Sequence, residues 1–112
     1  MNMQPRSIDE TVLAIVFKLS NAPNVQSVSS VAINKELAGA IGEMGVAWSL
    51  KRLWAREFIK IDEAAQDFPN FRKIEAITVS GLDWLQEGFD NHNSSVSAYL
   101  RGTVSAAEAL EG

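Results

Sequence analysis

Three cations and a tryptophan share one side of a predicted helix near the middle of the chain. At 100° per residue, Val46, Leu50, Leu53 and Trp54 centre on one face. Trp48, Lys51, Arg52 and Ala55 fall on the other, with Ser49 and Arg56 at its edge. Ammonium and guanidinium groups on such a face bind phosphates, and Arg52 has the geometry to read guanine. The same charges are also what an ordinary solvated helix carries. Trp48 admits three readings: a core residue if the helix is rotated or covered, a protein or self-association contact, or a nucleic-acid contact.

Other residues suggest chemistry by type but not by arrangement. Asp90, His92 and Ser94 include the members of a nucleophilic triad, yet they sit together in a short polar stretch. A triad needs groups assembled by the fold, with an oxyanion site. Asp90 and His92 supply two metal ligands where three or four are needed. Gly39, Gly42 and Gly45 follow no strand and do not make a phosphate loop. The pairs Asp9-Glu10 and Asp62-Glu63 are explained by helix capping and solvation. The expectation is therefore a chain without catalytic residues, metal or cofactor.

The 112 residues suffice for one core. A hydrophobic fraction of 46% favours folding over disorder. No apolar run approaches the roughly 18 to 20 residues of a membrane span. Residues 12–19 are apolar, but Asp9 and Glu10 precede them and Lys18 interrupts them, unlike a secretory signal. The absence of Cys excludes disulfides and fits a reducing cytoplasm. The net charge of -4 is uneven. Two bases face two acids in residues 1–34, seven face six in 35–73, and Arg101 alone faces six acids in 74–112. The centre is thus near neutral and the last third acidic.

These residues need elements to hold them. Ser7-Ile8-Asp9-Glu10 reads as a capping box opening a first helix with Ile8, Val12, Ile15, Val16 and Leu19 on its buried stripe. A short strand over residues 25–28 follows Pro23. Ser29 or Ser30 then caps a second helix running to about Ile41, with Leu37, Ala38 and Ile41 on one face. The chain is expected to bend between Gly42 and Gly45 before the Trp48 helix. Residues 58–61 and 71–79 are β-prone and predict a hairpin with a long loop, which Phe68 and Phe71 pin to the domain. Ser80 caps a further helix, with Leu82, Trp84 and Leu85 inward and Gly88 as its stop. In the tail, Val96, Tyr99, Leu100, Val104, Ala107 and Leu110 share a helical face, weakened at Gly102. That helix folds back, dimerises or frays.

The order resembles the winged-helix family of helix-turn-helix DNA-binding domains over residues 8–88. Leu37-Ala38 followed by Ile41-Gly42 is similar to that family's Leu-Ala-x-x-Leu-Gly pattern. Leu50-Lys51-Arg52-Leu53 and Glu57-Phe58-Ile59 look like a recognition helix entering the first wing strand. Ile77-Thr78-Val79-Ser80-Gly81-Leu82-Asp83-Trp84-Leu85 is similar to the Leu-Thr-x-x-Gly-x-x-x-Leu ending of small bacterial and phage regulators. Three features depart from the family. The turn is about two residues short of regulators of the multiple-antibiotic-resistance type. Val46, Ala47 and Trp48 replace the usual polar start of the recognition helix. Asp62, Glu63 and Asp67 load the wing loop with acid, with no base until Arg72.

The resemblance implies a mostly α fold with a small antiparallel β-sheet: a winged helix-turn-helix domain over residues 1–90, and a linker with an amphipathic helix over 91–112. It implies a cytoplasmic regulator that binds double-stranded DNA through Ser49, Lys51, Arg52 and Arg56, helped by Lys35, Arg72 and Lys73. A homodimer would form through residues 96–110, with Tyr99, Leu100 and Val104 in the interface. The rival is a non-catalytic protein-interaction module on the same fold, of the kind found in phages and mobile elements. It would dock on a basic partner through Trp48, the acidic wing and the acidic last third.

Overall fold

Helix α1, Pro5–Ser20, is the element on which the others pack. The computed structural model describes residues 5–20, 28–61, 66–67, 70–71, 74–91 and 94–111. Every residue from 9 to 16 is buried. That run exceeds two helical turns, so α1 is covered on all sides there, beyond the predicted stripe. The helix opens at Pro5 rather than at a Ser7 capping box: proline's fixed φ and missing N–H suit a first turn. Asp9 and Glu10 are consequently turned inward, at 5% and 1% exposure.

Val28 accepts a 2.7 Å hydrogen bond from the Ile74 amide. Ser29 then caps α2, Ser30–Glu36, accepting from the Ala32 amide at 3.1 Å. The helix stops five residues short of Ile41. Ala38 has a left-handed backbone (φ 53°), and the amides of Ala38 and Gly39 return to the carbonyls of Lys35 and Asn34, both at 3.0 Å. This is a Schellman termination. The bend therefore lies at residues 37–41, ahead of the expected Gly42–Gly45 position. Helix α3, Gly42–Ala55, already contains both glycines. Gly45 serves close packing instead, since a Cβ there would lie 2.9 Å from Ile41 Cβ.

Helix α3 ends in a second Schellman motif. The Glu57 and Phe58 amides donate to Trp54 O and Leu53 O, both at 2.9 Å, with Glu57 at φ 61°. Strand β1, Ile59–Ile61, follows. Strands β2, Gln66–Asp67, and β3, Asn70–Phe71, pair with each other, and β4, Ile74–Ile77, pairs antiparallel with β1. Ile59 faces Ile77 and Ile61 faces Ile74, with a bulge after Lys60. Ile59 and Ile61 are buried and Lys60 is exposed, the alternation of a half-buried strand.

Helix α4, Val79–Asn91, is capped by Thr78, not Ser80: Thr78 Oγ1 accepts from the Gly81 amide at 3.0 Å. Trp84 and Leu85 are buried, while Leu82 is 38% exposed. Gly88 lies within α4 and does not stop it. A Cβ at that position would lie 2.7 Å from Glu10 Oε2, so this glycine makes room for a buried carboxylate on α1.

The tail is two helices, α5, Ser94–Leu100, and α6, Ala106–Glu111. They are broken at Gly102 (φ 82°), where a third Schellman motif closes. Val96, Tyr99, Ala106, Ala109 and Leu110 join the same core as α1. The architecture is mostly helical, with six helices among the described residues. None of these helices is long and apolar enough to cross a membrane.

Candidate functional site

The period that buries Val46, Leu50 and Leu53 against α1 and α2 leaves the opposite side of α3 open. Trp48 is 48% exposed there, and Lys51, Arg52, Ala55 and Arg56 are exposed with it. Trp48 is therefore not a core residue. Met44, one turn earlier, is also 48% exposed and extends the apolar part of this face. Its i, i+4 spacing from Trp48 was the signal for it in the sequence.

The cations are arranged differently from one another. Lys51 Nζ lies 5.5 Å from the Trp48 ring centroid, within cation–π range. Arg56 sits over two rings, 4.8 Å from Phe58 and 5.1 Å from Trp84. Those rings stack on each other with centroids 5.0 Å apart. Both positions let a charge remain at the surface while its stem or face covers apolar area.

Arg52 is held from below. Its Nε donates to both Asp9 oxygens at 3.2 and 3.0 Å, and its Nη2 donates to Oδ1 at 2.7 Å. The Arg52 side chain stays 42% exposed, whereas that of Asp9 is 6% exposed. The hydrogen bonding to Asp9 chiefly, and the charge of Asp9 as well, raise the Arg52 pKa against the opposing effect of burial. A guanidinium has five N–H donors, and those not facing Asp9 are available to a second anion. Asp9 thus fixes the direction of Arg52.

Ser49 corrects an expectation. It is fully buried, and its hydroxyl donates to Asp9 Oδ1 at 2.7 Å. It secures α3 to α1 and is withdrawn from any contact with DNA. Lys35 is exposed but lines a separate cavity with Lys18, Glu36 and Tyr99, away from the face of α3. Arg72, Lys73, Asp62, Glu63, Phe68 and His92 lie outside the described residues, as do the side chains of Asp67, Phe71, Asp90 and Ser94.

Of the tail residues expected in a dimer interface, Tyr99 is buried within the chain. Tyr99 is 1% exposed and its hydroxyl donates to Glu36 Oε1 at 3.0 Å, with Lys18 Nζ 4.5 Å from its ring centroid. Leu100 and Val104 are half-buried against the core. The apolar face of the tail packs chiefly on α1, with α5 also against α4.

Among the described residues, no group of three or more His, Asp or Glu comes together to hold a metal ion. What the geometry offers is a surface: a half-exposed Met and Trp beside three exposed cations, one of them oriented by a buried carboxylate. No protein-family model matches the chain, and no curated protein and no solved structure matches it.

Proposed function

We propose that this chain is a small DNA-binding regulator acting through a winged helix-turn-helix. In this reading α2, the turn at residues 37–41 and α3 form the helix-turn-helix, and the β1–β4 pair forms the base of the wing. The observation that supports it is the facing of α3: Lys51 and Arg52 are exposed on the side opposite the buried Val46, Leu50 and Leu53, and Arg56 is exposed just past the end of the helix. Cations presented by a firmly seated helix suit a polyanion, although the whole chain is acidic. Arg52, already aimed by Asp9, is the best placed to contact a base or a phosphate. Lys51 and Arg56 would hold the backbone.

A wild-type sample titrated with mixed-sequence duplex should bind at low salt and release it as salt rises. Failure to bind any duplex at low salt would overturn this reading.

A second reading is favoured by the half-exposed Met44 and Trp48. A tryptophan in the middle of an open helix face is characteristic of protein interfaces and unusual for reading a major groove. The chain would then be a non-catalytic interaction module, with its acidic last third directed to a basic protein partner. Trp48→Ala should abolish capture of that partner and leave the melting temperature nearly unchanged.

A further inference from the structure

We infer that the cleft between α1, α2 and the tail helices is a binding site for a small organic anion with an apolar body. The cleft has a volume of about 460 Å³, within the usual range for small-molecule sites. Lys18 and Lys35 stand at its polar side. Glu36 lies with them and is already engaged: Lys18 Nζ is 3.5 Å from its Oε1, and the Tyr99 hydroxyl donates to the same oxygen. One carboxylate against two ammonium groups leaves the lining with a net positive charge. Leu19 and Val104, both half-buried, supply apolar wall. Tyr99 itself is fixed, buried at its base and held at its hydroxyl.

A carboxylate ligand suits this combination. Its anionic end would meet Lys35 and the ammonium of Lys18, and its hydrocarbon would lie against Leu19 and Val104. A purely apolar ligand would gain nothing from the lysines, and a multiply charged one would gain nothing from the apolar wall. Gly102, whose left-handed backbone separates α5 from α6, lines the cleft with Val104 and Leu19.

The test uses the full chain, ¹⁵N-labelled, titrated with benzoate and separately with the uncharged benzamide. Benzoate should give saturable amide shifts at Lys18, Lys35 and Val104. Benzamide should bind about tenfold more weakly, the loss of one charge-assisted contact. Lys35→Ala should reduce benzoate affinity toward that of benzamide, and Lys35→Arg should restore it. The inference is overturned if benzoate produces no saturable shift at these amides, or if benzamide binds as well as benzoate. Neither titration contains DNA, so the result is independent of what α3 binds.

Discussion

Asp9 holds α1 and α3 together from inside the fold. Its expected place was the solvated first turn of a helix. Instead it is buried, accepting from Ser49 and from Arg52 at once. Replacing it by Ala leaves the buried Ser49 hydroxyl without this acceptor and frees Arg52 to swing. The Arg52 contribution must be discounted because that side chain is partly in water. Asp9→Ala should therefore cost roughly 1–3 kcal/mol, chiefly through the buried hydrogen bond, measurable by denaturant unfolding. Tyr99 offers a second check at this scale. Burial first, then the charge of Glu36 and the hydrogen bond to it, push its phenol well above the ordinary range. The folded chain thus keeps the proton that the unfolded chain gives up above about pH 10. Stability should fall as pH rises from there, and Tyr99→Phe should flatten that fall. As the chain has one tyrosine, tyrosinate absorbance reports it directly and should appear together with unfolding.

At the scale of elements, periodicity was the most informative property of the sequence. The two faces of α3 follow from the 3.6-residue repeat, and Ser29-Ser30 announced the start of α2 by capping chemistry. The ends of helices were harder. All three Schellman terminations put a residue in the left-handed region; after α5 it is glycine, and after α2 a left-handed Gly39 follows the left-handed Ala38. Ala38 and Glu57 fill that position after α2 and α3, and neither residue signals a stop. The visible glycines drew the predicted bend to Gly42–Gly45, where they serve packing and the start of α3. Gly88 misled in a similar way. It lies within α4, as Gly81 does, and each admits a neighbour: Gly81 the Phe58 carbonyl and Gly88 the Glu10 carboxylate. Alanine in a helix interior normally gains about 1 kcal/mol over glycine. Gly81→Ala should instead lower stability by about 1–3 kcal/mol, because its Cβ would collide with backbone. A rise in melting temperature would contradict the close approach of α4 to the corner after α3.

For the whole molecule, the tail takes one of the three courses its pattern left open and folds back on the chain. Local pattern identified its apolar face, but no local property says which surface that face will cover. Covalent continuity settled it: α5 and α6 return to α1, and the Cα radius of gyration of 12.6 Å is close to the roughly 13 Å of a single packed domain of this length. Removing residues 94–112 would strip Val96, Tyr99, Ala106, Ala109 and Leu110 from the core. Each large apolar side chain among them is worth about 1.5–3 kcal/mol, and the total rivals the 5–15 kcal/mol of a typical domain. The truncated chain should lose its cooperative thermal transition, whereas an independent appendage would leave that transition in place. The candidate surface was legible only in part for the same reason. The facing of Trp48, Lys51, Arg52 and Arg56 is a local property of α3. The burial of Ser49 and the support of Arg52 depend on Asp9, some forty residues away in sequence.

The proposal for α3 is tested most directly by the salt dependence of duplex binding in the wild type and in Lys51→Ala, measured by fluorescence anisotropy. If Lys51 contacts a phosphate, the slope of log affinity against log salt should become shallower by about one, with weakening that is similar for all duplex sequences. An unchanged slope and affinity in Lys51→Ala would contradict the assignment of this face to DNA.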